Sequence, residues 1–350
     1  MQLPTYIILT QHAEKHAVAG CTQPNLYMFG LAPCRMLEVE KGELRMERIR
    51  RVSLIGLGAV GAAYGSRLLM ATETELSVVV DRTRKDRYRE RPVVVNGQDI
   101  AFSYVLPDED VEPADLVLIA VKYDGLAQAL KDIRRHVGPN TIFISLLNGI
   151  ASEDDIRDVY PNNPILHAVC IAIDAVRSGS DVTFSSLGYI SFGDASGQQP
   201  DIVERVRELF ERAGIGYEVP ADILRTMWWK FMINVGINQT SAILRAPYGV
   251  FQQSTDAHTV MAMAMREVIA IARQLGIELS EDDIDRFDDV LYAMAPTGKT
   301  SMLQDVEAGR PTEVEQLSGR VLQIGRQLGV PTPVNEVLYR AIRAITPASP

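Results

Sequence analysis

The run Arg51-Val-Ser-Leu-Ile-Gly-Leu-Gly-Ala-Val-Gly-Ala-Ala-Tyr-Gly, residues 51–65, decides the fold. Val52, Leu54 and Ile55 form a β-rich apolar run, and a small-residue stretch, Ala59 to Ala71, follows with helical character. Between them lie Gly56, Gly58 and Gly61, spaced G-x-G-x-x-G. In a strand–turn–helix context each glycine has a task. Gly56 permits the tight turn, Gly58 admits a pyrophosphate close to the backbone, and Gly61 lets the helix pack close to the strand. The helix N-terminus then presents free N–H groups and a partial positive charge to the phosphates. Gly56, Leu57, Gly58, Ala59, Val60 and Gly61 are therefore the candidate dinucleotide-binding residues. The competing reading is a glycine-rich turn with no ligand.

Strands and helices alternate outward from this point. The pattern predicts strands at 51–56, 76–81, 93–95, 100–105, 114–121 and 141–146, with helices at 59–71 and 124–136. The continuous apolar run Ala114 to Val121 is what a strand covered on both faces requires. A β-rich section spans 164–193, and helix 200–213 and a short strand near 215–219 follow. This is a doubly wound, Rossmann-type α/β pattern. Near Pro220 the pattern changes to helices alone: 221–244, 255–275, 281–294, 301–308, 313–328 and 334–345. Gly276 and Gly329 stand where helix C-caps are expected. Met261, Met263 and Met265 read as core packing. Residues 49–220 are thus expected to bind the nucleotide and residues 221–350 to form an all-α domain, with the substrate in the crevice between them. Residues 1–48 lack a strong period. They read as an extension, disordered or mis-started, because Met46 is a natural beginning for the α/β part.

Composition narrows the class. The chain has 350 residues, 47% hydrophobic and 23% charged, which suits a globular enzyme with room for two domains. A net charge of −10 argues against general nucleic-acid binding. No apolar run reaches membrane-spanning length. Cys21, Cys34 and Cys170 make no paired framework, and no signal peptide is recognisable, so a reducing cytoplasm is expected. The five histidines show no metal-site spacing, and His12 with His16 reads as solvated. The long apolar helix faces fit either a homodimer or a monomeric core.

Asp81 ends the second predicted strand, twenty positions after Gly61. An acid there usually holds the adenine ribose 2′-OH and keeps NAD(H) open. Arg82 follows it, with Arg84, Lys85, Arg87, Arg89 and Arg91 close behind. Guanidinium groups bind phosphate bidentately, so this cluster favours NADP(H), with Arg82 the best candidate for the 2′-phosphate. Most of the six are expected to lie on a solvated helix face.

In the segment 228–238, Lys230, Asn234 and Asn238 fall at i, i+4 and i+8 among Met227, Phe231, Met232, Ile233 and Ile237. On a helix they share one stripe. One amine and two amides in so apolar a helix need partners, because asparagine is a poor helix former. Further on, Ser301 with Gln304 and Thr312 with Glu315 each fit a capping box. Glu313 falls in a first helical turn, where the macrodipole favours an acid. Spacing alone leaves cap and function equally open for Ser301 and Glu313.

Taken in order, Val52 to Gly65, Ala120-Val-Lys122, Leu147-Asn148-Gly149, the stripe Lys230 to Asn238, and Ser301-Met-Leu-Gln-Asp with Arg310-Pro-Thr-Glu313 resemble the ketopantoate reductase (2-dehydropantoate 2-reductase) family over about residues 51–345. The resemblance implies a Rossmann-type domain followed by a helical domain of the 6-phosphogluconate-dehydrogenase type. It implies NADPH-dependent reduction of 2-dehydropantoate to (R)-pantoate, for pantothenate and coenzyme A synthesis. It also implies roles. Lys230 would protonate the ketone oxygen, and Glu313 would contact cofactor and substrate and orient the lysine. Asn148 would lie near nicotinamide and substrate, and Lys122 on the cofactor side. Asn234, Asn238 and Ser301 would hold the substrate's hydroxyl and carboxylate. Three places depart from the family pattern. Leu147 stands where glutamine is frequent, Tyr248 where asparagine often precedes Gly249, and Gly298 with Lys299 where an asparagine is expected before Ser301. Hydride transfer is therefore a firmer expectation than the identity of the oxo acid. A reductase of another 2-oxo acid and a non-catalytic NADP(H) sensor are the alternatives.

Overall fold

A computed structural model describes residues 47–346. The expectation for the extension, the two N-terminal histidines and Cys21, Cys34 and Met46 falls outside the described residues.

Strand β1 (Arg51–Ile55) runs into helix α1 (Ala59–Leu68), followed by β2 (Glu75–Val79) and α2 (Arg82–Glu90). Three short strands come next: β3 (Val93–Val95), β4 (Gln98–Ile100) and β5 (Ser103–Val105). Then follow β6 (Ala114–Ile119), α3 (Leu126–Asp132), β7 (Val137–Ser145), α4 (Ser152–Val159) and β8 (Ile165–Ile171). The α/β part closes with β9 (Val176–Ser178), β10 (Asp181–Thr183), β11 (Tyr189–Gly193), α5 (Pro200–Ala213) and β12 (Tyr217–Glu218). The main sheet has eight strands in the order β12-β11-β8-β7-β6-β1-β2-β5. From β8 to β5 all pairings are parallel, and β11 joins β8 antiparallel.

The central strands are apolar on both faces because both faces are covered. Val52, Leu54, Leu116, Leu118, Ile142 and Ile144 join one buried cluster, while their neighbours Ile55, Val117, Ile119 and Phe143 join another on the opposite side. This is the period-two alternation of a strand with a core on each side. The predicted strand 100–105 is not one strand. Ala101 and buried Phe102 break it, so β4 enters a small second sheet (β4-β3-β10-β9) and β5 edges the main one.

The helical part begins at α6 (Ile223–Ile233), capped by Asp222, whose side chain accepts from Arg225 N at 2.9 Å. A π turn (Asn234–Asn238) separates it from α7 (Gln239–Leu244), so the predicted helix 221–244 is interrupted. Then come α8 (Tyr248–Gln253), which the pattern did not predict, α9 (Thr255–Gln274), α10 (Asp282–Ala293) and α11 (Ser301–Glu307). A second π turn (Glu315–Gly319) opens the run that continues as α12 (Arg320–Leu328), and α13 (Pro333–Ile345) ends the fold. Gly276 and Gly329 take left-handed conformations just past α9 and α12, as expected of C-caps.

Helix α6 packs on β8 and β11, tying the two parts together. Ile223 and Met227 meet Val169 there, with Ile150 and Ile171 against them. No helix among the described residues is long and apolar enough to cross a membrane, and no group of three metal-ligating side chains occurs among them.

Candidate active site

The glycine loop lies where β1 and β6 part at their C-terminal ends. A Cβ on Gly56 (φ +98°) would sit 2.4 Å from the carbonyl carbon of Ala120, so only glycine fits between the strands. One on Gly61 would sit 1.9 Å from Gly56 O, so α1 lies as close to the turn as backbone allows. Gly58 is different. Its nearest neighbour would be 3.9 Å away, leaving that face open. No side chain caps α1 and no acid stands in its first turn. The unpaired N–H groups and the open glycine face fit a dinucleotide pyrophosphate. Leu57 is buried beneath the loop, while Ala59 and Val60 are half-buried on the first turn.

Asp81 is partly committed elsewhere. It caps α2, accepting from Arg84 N at 2.7 Å, and pairs with the Arg84 guanidinium at 3.2 Å. Arg82, by contrast, forms no ion pair among the described residues. It borders a cavity of about 270 Å³ with Lys85, Arg89 and Glu109. Lys122, just past β6, reaches across to Asp305 on α11 at 3.2 Å, and Arg310 holds the other oxygen of Asp305 at 2.7 Å. Asp305 was not singled out in the sequence, although it ends the run Ser301-Met-Leu-Gln-Asp.

Lys230, near the C-terminal end of α6, makes no hydrogen bond or ion pair among the described residues. Loss of solvent around the ammonium pushes its pKa below the usual lysine value. Its neighbour is Cys170 on β8, whose thiol burial pushes up to about 12. Asn234 is buried at 5% exposure, yet its amide has no partner within the described protein. Asn238 is half-buried and likewise unpartnered. Neither amide is among the fully buried unpaired polar atoms, so both keep open access and are free to meet a ligand.

Between the α/β and helical parts, Asn148 Nδ2 donates to Glu313 Oε2 at 3.2 Å, joining residues 165 apart in sequence. Burial raises the Glu313 pKa, opposed by that hydrogen bond and by the charge of Lys122. No ion pair of 4.0 Å or less joins Glu313 to Lys230 among the described residues. The lysine faces β8, while the acid is turned to Asn148.

Neither expected capping box forms. The cap of α11 is Thr300, whose hydroxyl accepts from Leu303 N at 3.2 Å. Ser301 is therefore the first helical residue, exposed and with its hydroxyl free of protein partners. Thr312 caps nothing, and its hydroxyl is buried without a partner beside Glu313. Glu313 precedes the second π turn rather than lying in a first helical turn, and its carbonyl accepts from Gln316 N and Leu317 N.

A buried polar network ties the two π turns together. The Ser318 hydroxyl is shared between the side-chain oxygens of Gln239 and Asn335, with 3.0 Å to the latter. Gln239 Nε2 donates to Val235 O at 2.7 Å, and Asn335 Nδ2 to Glu267 Oε2 at 2.7 Å. Gln239, Ser318 and Asn335 are completely buried. The signal that could have revealed the network is Glu267, an acid three residues after Ala264 on the core face of α9.

Of the three departures, Leu147 belongs to the sheet core with Ile55 and Phe143. Lys299 is bound to Glu307 at 2.8 Å to both oxygens, so its charge is neutralised locally. Tyr248 and Gly298 touch each other.

A glycine loop that fits a pyrophosphate, an unpaired desolvated lysine and a buried carboxyl are the parts a dinucleotide-dependent oxidoreductase needs. Comparison with known families agrees. The family described as "Ketopantoate reductase PanE/ApbA" matches residues 52–197, and "Ketopantoate reductase PanE/ApbA C terminal" matches 222–346. A 2-dehydropantoate 2-reductase of Pyrobaculum aerophilum is 30% identical over 298 residues, 83% of this chain and 96% of that protein. A PanE/ApbA family ketopantoate reductase from Ralstonia eutropha superposes with a TM-score of 0.73 at 26% identity, covering 84% of this chain and 98% of its own. A D-mandelate dehydrogenase solved with NADH and anilino(oxo)acetate shares the fold, with a TM-score of 0.76 at 21% identity over 84% of this chain and 98% of its own. The chain belongs to the ketopantoate reductase family.

Proposed function

We propose that the protein reduces a 2-oxo acid to the 2-hydroxy acid with NADPH, Lys230 being the general acid. The observation carrying this is a desolvated lysine ammonium without a partner, on a stripe with two unpartnered amides. A dihydronicotinamide held by the glycine loop would supply a hydride for the carbonyl carbon. Lys230 Nζ gives a proton to the carbonyl oxygen, so the C=O bond becomes CH–OH. An ammonium of lowered pKa in a partly dry cleft both stabilises the developing alkoxide and releases its proton readily. Asn234, Asn238 and Ser301 hold the acid's carboxylate and side chain, and Asn148 with Glu313 lines the cofactor side of the reacting centre. The loop Gly56–Gly61 holds the pyrophosphate, Lys122 lies near it, and Arg82 takes the 2′-phosphate, whereas Asp81 is occupied as a cap.

Family membership makes ketopantoate the first acid to consider, with (R)-pantoate as product in cytoplasmic pantothenate and coenzyme A synthesis. A second reading, another 2-oxo acid, is favoured by Tyr248 and Gly298. The test is oxidation of NADPH by purified protein with a panel of 2-oxo acids, repeated with Lys230→Ala. Turnover lost in the variant with cofactor affinity nearly unchanged supports the enzyme. A wild-type protein that binds NADPH but reduces nothing would leave a sensor instead.

A further inference from the structure

We infer that Tyr248 and Gly298 form one specificity element, which selects 2-oxo acids with an uncharged, apolar branched or aryl side chain over hydroxylated ones. This rests on the 2-oxo acid reduction proposed above and concerns only which acid is taken.

Tyr248 is the first residue of α8, and Gly298 lies three residues before Ser301. The two segments are clipped together by main chain, Tyr248 N to Gly298 O at 2.9 Å and Gly249 N to Pro296 O at 2.8 Å. A Cβ on Gly298 would lie 2.9 Å from Tyr248 Cδ2 and 3.0 Å from Cε2. Gly298 has an ordinary backbone conformation, so alanine is not excluded by its own dihedrals. The tyrosine ring takes most of the space a side chain would need, and Ala295 O, 3.1 Å from the same point, closes the rest. The two departures are therefore sterically coupled: the ring at 248 and a side chain at 298 would compete for one space.

The element is tied to the segments that carry the proposed substrate residues, one edge of the ring packing against the helical core. Thr300 Oγ1 lies 3.2 Å from Ser241 Oγ, and Ser241 Oγ donates to Ala246 O at 2.7 Å. These bonds fasten the loop before Tyr248 both to α7, which follows Asn238, and to α11, which begins with Ser301. The ring is half-buried, its hydroxyl has no partner among the described residues, and burial raises the phenol pKa. Where an asparagine would offer a donor and an acceptor to a substrate hydroxyl, Tyr248 offers chiefly an aromatic face. Lys299 brings no charge to the site, because Glu307 holds it. An aromatic face favours apolar and aryl groups. An apolar wall discriminates against an added hydroxyl by up to about 100-fold.

The experiment compares kcat/KM for ketopantoate, trimethylpyruvate (the same skeleton without the hydroxyl) and phenylglyoxylate. Wild type is expected to favour the two apolar acids by about 10-fold or more. Tyr248→Asn should move the ratio toward ketopantoate by a similar factor, while Tyr248→Phe should leave it alone. Gly298→Ala should lower kcat/KM for phenylglyoxylate in the wild-type background and have a smaller effect beside Tyr248→Asn, where the ring contact is gone and only that with Ala295 O remains. Wild-type preference for ketopantoate overturns the inference, whether or not any variant folds. So does an unchanged ratio in an active Tyr248→Asn, or a collapsed one in Tyr248→Phe. If NADPH binds and no acid is reduced, the underlying reaction falls and takes this inference with it.

Discussion

At the residue scale the two groups proposed for catalysis are held against their own solvation. The Lys230 ammonium is desolvated below its ordinary 10.5, and the Glu313 carboxyl is pushed above its ordinary 4.5. Both shifts work against stability. Between the native and unfolded lysine values the unfolded chain binds more protons, so the penalty is full below the native value and fades as pH rises toward 10.5. For Glu313 the native state holds the extra proton, so stability falls as pH rises from 4.5 through its raised value. Lys230→Met should therefore raise Tm while lowering kcat by ~10²–10⁴-fold. A melting curve with a lowered Tm would show the amine to be structural. The pH profile follows from the same shift. Reduction needs protonated Lys230, so kcat/KM should fall on the alkaline side, with a midpoint below that of an ordinary lysine. A profile flat up to pH 10.5 would argue against Lys230 as the acid.

At the element scale the two π turns matter most. A π turn carries an extra residue per turn and is frequently found at functional sites. Here one carries Asn234 and Asn238, and the other follows Glu313 directly. The hydroxyl and amide chain Gln239–Ser318–Asn335–Glu267 holds them side by side. Removing one member leaves buried partners unsatisfied, at about 1–3 kcal/mol. Asn335→Ala should therefore lower the unfolding free energy by that much and raise KM for the oxo acid, although Asn335 bonds to none of Lys230, Asn234 and Asn238. Unchanged stability in urea would mean that water or a neighbour replaces the amide. Sequence periodicity predicted continuous helices here because it assumes a constant 3.6 residues per turn. Gly236 shows why that fails, since a Cβ there would lie 2.5 Å from Met265 Cε, and the turn is shaped by its contact with α9.

At the scale of the whole molecule, two polar contacts join the α/β and helical parts, Asn148 to Glu313 and Lys122 to Asp305, while α6 lies on β8. The cofactor end is farther out, at α2. Because Asp81 caps that helix and Arg82 is unpaired, Arg82→Ala should weaken NADPH by about 10-fold or more and leave NADH nearly unaffected, as loss of one charge-assisted contact requires. Equal weakening of both cofactors, measured by fluorescence titration, would place the 2′-phosphate elsewhere.

The chain itself determined the doubly wound α/β part, the glycine loop, the helical second part and the family, because each is written in local periodicity or in short ordered motifs. The glycines at 56, 58 and 61 have distinct tasks that their spacing already implied. What only the tertiary structure decided is which groups meet. Glu313 turned to Asn148 rather than to Lys230, Asp81 became a cap, Thr300 displaced Ser301 at the helix start, and Tyr248 claimed the space over Gly298. These pairings join residues as far apart as 165 positions, and no local pattern carries the packing that selects among them.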